Sequence, residues 1–219
     1  MDGAEGLLHS DEVDGDDHAP YFAVLVGFWG TFVVCQSPEP LVELIPDLER
    51  AHVEPLDGAR WPDPWRGWRV WGELPDGAWD ALATTGSVLA AEIYDSDGAR
   101  LTAISRTSGR WTTYLNLDGV LSHLVLARAP FDANGEELTG NALDEHNAAH
   151  RSEVAQVRQR LLETTPMGLV AAQRASAWAH ESGLTPAEVD ELHVVLDGTE
   201  VFVEELFSRL LVSLGVDGS

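Results

Sequence analysis

Residues 21–35, YFAVLVGFWGTFVVC, decide how the fold is read. Apolar residues stand at odd and even positions alike, and β-branched and aromatic side chains dominate. That is the pattern of a strand buried on both faces, or of two strands broken near Gly27 and Gly30. Such a strand belongs at the centre of a sheet, so the flanking sequence must supply its neighbours and the layers that cover it.

Working outward toward the C-terminus, Ser37-Pro38-Glu39 reads as a helix start, with Ser37 as N-cap, Pro38 at the first position and an acid in the first turn. Leu41, Leu44, Ile45 and Leu48 give that helix one apolar face, and Pro46 is expected to kink or shorten it. Residues 61–79, WPDPWRGWRVWGELPDGAW, hold five of the eight tryptophans. The segment WPDPW is too proline-rich for regular structure and reads as a loop. Residues 68–74 read as a strand with Trp68, Val70 and Gly72 on one side and Arg69, Trp71 and Glu73 on the other. A short helix is expected over 78–85. Strands follow at 87–94, 99–106 and 111–117, joined by turns at Asp95-Ser96-Asp97-Gly98 and Thr107-Ser108-Gly109. Together these predict an antiparallel meander beside the 21–35 strand.

Past Pro130 the pattern turns helical. After the turn-rich stretch 131–140, residues 141–164 read as a polar helix with few apolar positions, among them Leu143, Val154, Val157, Leu161 and Leu162. Residues 167–181 read as a helix with Leu169, Val170, Ala172, Ala175 and Trp178 toward the core, stopped at Gly183. Thr185-Pro186-Ala187-Glu188 combines a capping box with proline at the first helical position. Residues 193–203 read either as a hairpin about Asp197-Gly198 or as two helices broken there. Helical spacing of Val203, Leu206, Phe207, Leu210, Leu211 and Leu214 favours helices. The expected fold is α+β: an antiparallel sheet over 21–128, the N-terminal two-thirds, packed as one domain with a helical region over 137–215. The first twenty residues, with seven acids and no base, read as a disordered acidic arm.

Composition narrows function. The chain has 219 residues, 37 acids against 13 bases and a formal net charge of −24. All thirteen bases are arginine, which suggests a high-GC coding bias. A broad phosphate-neutralising surface for nucleic acid is not expected, nor is attachment to an anionic membrane. Residues 132–219 carry sixteen acids and five arginines, which argues against a tri-helical DNA-binding module there. With no basic leader and no apolar run long enough to cross a bilayer, the expected compartment is the cytoplasm. Cys35, the single cysteine, reads as a small buried hydrophobe.

Two sets of residues stand out as candidate sites. Trp61, Trp65, Arg66, Trp68, Arg69 and Trp71 pair the residue types enriched in binding hot spots. An exposed cation–π ladder is one arrangement for them, and burial of Trp68 and Trp71 in opposite faces of the sheet is the other. His146 and His150 lie one helical turn apart with Glu153 a further turn along, a workable set for a divalent metal. Asn147 stands where a metalloprotease helix carries its general base. Asp95-Ser96-Asp97-Gly98 has the look of a calcium-loop fragment but lacks the distal ligands, and reads as a turn. His52, His123, His180 and His193 are scattered singly and read as structural. No nucleophile or nucleotide motif is present, so catalysis has no positive support and the chain reads as a binding protein rather than an enzyme. The expectation is an acidic protein that engages a basic protein partner, in the manner of an immunity or antitoxin-like inhibitor. The alternative is a small-molecule binder or enzyme with a tryptophan-lined pocket and a histidine metal site.

Overall fold

A computed structural model describes residues 27–56 and 61–216. The expected acidic arm and the first residues of the 21–35 stretch therefore lie outside the described residues. The central strand β1 is Gly30–Gln36, and six of its seven residues are buried. It pairs on one side with β3, Trp65–Trp71, and on the other with β4, Val88–Tyr94. With β2, Val53–Pro55, β5, Gly98–Ser105, and β6, Gly109–Leu115, the strands form one antiparallel sheet in the order β2-β3-β1-β4-β5-β6. The fold is α+β, with the sheet in the N-terminal part and helices in the C-terminal part.

Alternation along the strands builds a core on each face of the sheet. Phe32 and Val34 of β1, Leu89 and Ala91 of β4, Leu101 of β5 and Trp111 of β6 point to one side. There they meet α5 (Gly168–Glu181), α6 (Val189–Leu196) and α7 (Val203–Ser213). Val203, Leu206, Phe207, Leu210 and Leu211 of α7 are all buried, each worth roughly 1.5–3 kcal/mol in transfer terms. Helices thus win over the hairpin at 193–203, with the break at Asp197-Gly198. On the opposite face Val33, Cys35, Val70 and Ala90 pack under α1 (Leu41–Leu44), a 3-10 turn at Pro46–Arg50, and α2 (Ala78–Thr85). Burial pushes the Cys35 thiol up to about 12, which leaves it an inert apolar side chain.

Several expectations need correction. Ser37 caps no helix; its hydroxyl accepts from the Glu39 backbone N–H at 3.1 Å, and the helix starts three residues later with Pro40 as N-cap. Trp65 is not on a loop but opens β3, so the strand begins three residues before the predicted 68–74 and ends at Trp71. Thr185–Glu188 forms no capping box, because Ala187 N–H donates to Ser213 O at 2.7 Å and the segment runs against the end of α7. Tertiary pairing overrides the local helix signal there. In α5 the buried stripe is Ala171, Ala172, Ala175, Trp178 and Ala179, while Leu169 and Val170 are exposed. A helix that the sequence reading missed, α3 (Leu117–Leu124), follows Asn116 in the left-handed region at φ 47°. It packs across β4, β5 and β6. The long helix α4, Gly140–Thr164, has no buried residue and rests on α3 by a half-buried stripe at Leu143, His146, His150, Val154, Val157 and Leu161.

Candidate functional site

The tryptophan cluster does not present one surface. Trp65 is 2% exposed and meets Trp178 of α5 edge-to-face, with ring centroids 5.7 Å apart. Trp61 is half-buried against Gly67, where a Cβ would fall 2.2 Å from its ring, and its indole N–H donates to Leu56 O. Trp68 packs into the opposite core, and its indole N–H has no hydrogen-bond partner among the described residues. Arg66 donates to Trp65 O and to Asp63. Arg69 donates to Glu54 across the β2–β3 ladder at 2.9 Å, and its guanidinium lies over Phe28 and Phe32 rather than over a tryptophan. Trp71 alone of the strand tryptophans is exposed, at 40%, with Phe28 against its edge. The cluster is therefore mostly core, and the cation–π contacts it makes are internal. The groove between α6 and α7, about 420 Å³ and lined by Glu191, Val194, Arg209 and Val212 among others, contains no tryptophan.

His146, His150 and Glu153 do lie on one stretch of α4, but they do not converge as ligands. His146 Nε2 is 3.1 Å from Arg128 O, and Glu153 faces the Arg128 guanidinium at 3.8 Å. A cation already stands among them. The group that does converge, among the described residues, is Asp95, Asp97 and His123, whose ligand atoms all lie within 4.8 Å of one another.

This cluster is built by the β4–β5 turn and α3. Asp95 (φ 51°) and Ser96 (φ 61°) occupy the two central positions of the tight turn closed by Asp97 N–H to Tyr94 O at 2.9 Å. Left-handed conformations at both positions are those of the hairpin turn whose twist matches the strands. The turn carries its two carboxylates at Asp95 and Asp97, with Ser96 between them. Asn116 Nδ2 donates to Asp97 O at 2.6 Å, and α3 then brings His123 back so that its Nε2 sits 3.1 Å from Asp97 Oδ2. The Trp29 ring packs edge-on to His123 at 4.9 Å, while Tyr94 lies nearly parallel to it at 6.3 Å. The His123 side chain is 15% exposed. Neither His123 nor its pairing with the turn could be read from its neighbours in sequence, and the only local signal was the Asp-Ser-Asp-Gly turn itself.

Directly beneath the turn is a buried carboxyl. Ser96 Oγ accepts from Phe28 N–H at 3.1 Å and donates to Glu204 Oε1 at 2.7 Å. Ser96 O accepts from Val203 N–H, so one residue ties the start of β1, the turn and α7 together. Glu204 is 4% exposed, and its Oε2 has no partner among the described residues. Burial pushes its carboxyl above the usual range, against the opposing pull of the Ser96 hydroxyl and the Arg69 charge. A carboxyl raised in the folded state binds its proton more tightly there than in the unfolded chain. Its contribution is fully present below its ordinary value and is lost as pH rises through the elevated one. Glu204→Gln should therefore flatten this part of the stability profile. Thermal melts from pH 4 to pH 8 should show the variant gaining on the wild type as pH rises, and parallel profiles would refute the assignment.

The other marked surface is electrostatic. On the side of the sheet covered by α1, the 3-10 turn and α2, Glu39, Glu43, Asp47, Glu49, Glu73, Asp76 and Asp80 are all exposed. None of these seven makes an ion pair among the described residues. Arg50 is the one base in residues 37–56 and 72–86. No helix among the described residues is long and apolar enough to cross a membrane. Compared with known protein families, with curated proteins and with solved structures, the chain matches none of them.

Proposed function

We propose that the protein is a cytoplasmic binding protein that engages a basic protein partner through the carboxylate-rich face over α1, the 3-10 turn and α2. The observation that carries this reading is the set of seven exposed carboxylates that make no ion pair among the described residues, against two bases on that face, Arg50 and the Arg110 guanidinium that lies over the Trp79 ring of α2. Unpaired surface charge of one sign contributes little to stability but steers and speeds association with the opposite sign. An inhibitor of a basic enzyme, in the style of an immunity or antitoxin protein, is the form of partnership this chemistry suits.

The test is co-purification from the native host at low and high salt, with the wild type beside a variant carrying Glu39→Gln, Glu43→Gln, Asp47→Asn and Glu49→Gln. The expected result is a stoichiometric basic partner retained at low salt, released at high salt and lost by the variant. Recovery of no such partner, or of one that the neutralised variant binds with the same salt dependence, rejects the reading.

A further inference from the structure

We propose that Asp95, Asp97 and His123 form a binding site for one divalent transition-metal ion of the zinc or cobalt type. The first ground is geometric. Two ligands on adjacent corners of a tetrahedron with bonds of about 2.1 Å stand roughly 3.4 Å apart, and the observed His123 Nε2 to Asp97 Oδ2 separation is 3.1 Å. Asp95 contributes a carboxylate oxygen within 4.8 Å of both, so modest rotation about its side chain closes the set.

The second ground is charge. Asp97 faces His123, but the Asp95 carboxylate has neither an ion-pair nor a hydrogen-bond partner among the described residues. Two carboxylates converging on a single imidazole are under-neutralised whether or not the ring is protonated, and a dication placed between the three restores the balance. His123 Nε2 is the nitrogen placed to serve as a ligand to that metal.

The third ground is that His123 is held for ligation. Trp29 and Tyr94 fix the ring plane with Nε2 toward the turn. The turn itself is anchored through Asn116 on Asp97 O and through Ser96 on Phe28 and Glu204. Ligands whose orientation is set in advance lose little conformational freedom on binding. The donor set also selects the metal class. One nitrogen and two carboxylates are too few oxygens for calcium, which takes six to eight. Without a thiolate they do not suit copper(I), and they do suit borderline dications. Asp97 is exposed, so the remaining coordination positions open to solvent. The site is separate from the acidic face and does not depend on the partner-binding reading.

The experiment uses the full, untagged chain stripped with chelator and titrated with cobalt(II) and zinc(II). Cobalt(II) absorption, calorimetric stoichiometry and quenching of Trp29 fluorescence by cobalt(II) are read on the wild type, Asp95→Asn, His123→Gln and the double variant His146→Gln/His150→Gln. Asp95→Asn preserves shape at a side chain that holds nothing else, so it keeps the test valid if His123→Gln proves unstable. The expected result is one metal per chain, affinity weakened about tenfold or more in Asp95→Asn and in any folded His123→Gln, and unchanged affinity in the double histidine variant. No binding at millimolar metal, unchanged affinity in Asp95→Asn, or loss of binding in the double variant overturns the proposal.

Discussion

Trp178→Ala should cost the fold about 3–5 kcal/mol, the range for emptying a fully buried aromatic site. Trp178 is 0% exposed and sits where α5 meets the sheet. Three interactions leave with it. Its apolar area returns to water, its edge-to-face contact with Trp65 is lost, and Ile104 O loses the indole N–H that donates to it at 2.8 Å. Because Trp65 belongs to β3 and Ile104 to β5, the indole is held by two strands that are not neighbours in the sheet, and the cavity left behind cannot close by moving one neighbour. Urea unfolding followed by far-UV circular dichroism measures the loss directly. Trp178→Phe keeps most of the packing and removes the donor, so it should recover much of the deficit and leave about 1–3 kcal/mol for the orphaned carbonyl and the lost ring. An alanine variant within about 1 kcal/mol of wild type would contradict this docking of α5, because burial on this scale is not neutral.

The same indole shows where sequence reading succeeds and where it stops. Helical spacing places Trp178 in the core, and it is there. The helix over 78–85, the turn at 95–98 and the α7 stripe were legible for the same reason: each is specified within one or two turns of chain. Gly183 is another local success, since its φ of 77° and the bond from Leu184 N–H to Ala179 O form a left-handed helix stop. Trp65 failed because two prolines beside it argue for a loop, whereas its indole is placed by Trp178, more than a hundred residues away in sequence. Thr185–Glu188 failed in the opposite direction, a strong local signal lost to Ala187 pairing with Ser213. The candidate metal cluster belongs with these failures. Asp95 and Asp97 are visible as a turn, but His123 reaches them only because α3 lies directly on that turn. Contact between two distant backbones leaves its trace only as glycines at separate positions, Gly98 and Gly119.

Gly119→Ala tests that contact and should destabilise the protein by about 2–3 kcal/mol or more, as forced overpacking does. In an exposed helix the same change gains about 1 kcal/mol, because alanine has the better helix propensity. Here the sign inverts. A Cβ on Gly119 falls 2.1 Å from Asp97 O and 2.5 Å from Asp97 C, and one on Gly98 falls 2.6 Å from Val120 N. All of these are backbone atoms, so no side chain can rotate away, and α3 must lift off the turn. Lifting α3 draws His123 from Asp97 and opens its contact with Trp29. The variant should therefore lose midpoint in urea and also lose near-ultraviolet dichroism and metal-induced quenching from Trp29. A stabilised or unchanged Gly119→Ala would show that α3 does not sit on the β4–β5 turn, and would remove the scaffold on which the Asp95, Asp97 and His123 cluster depends.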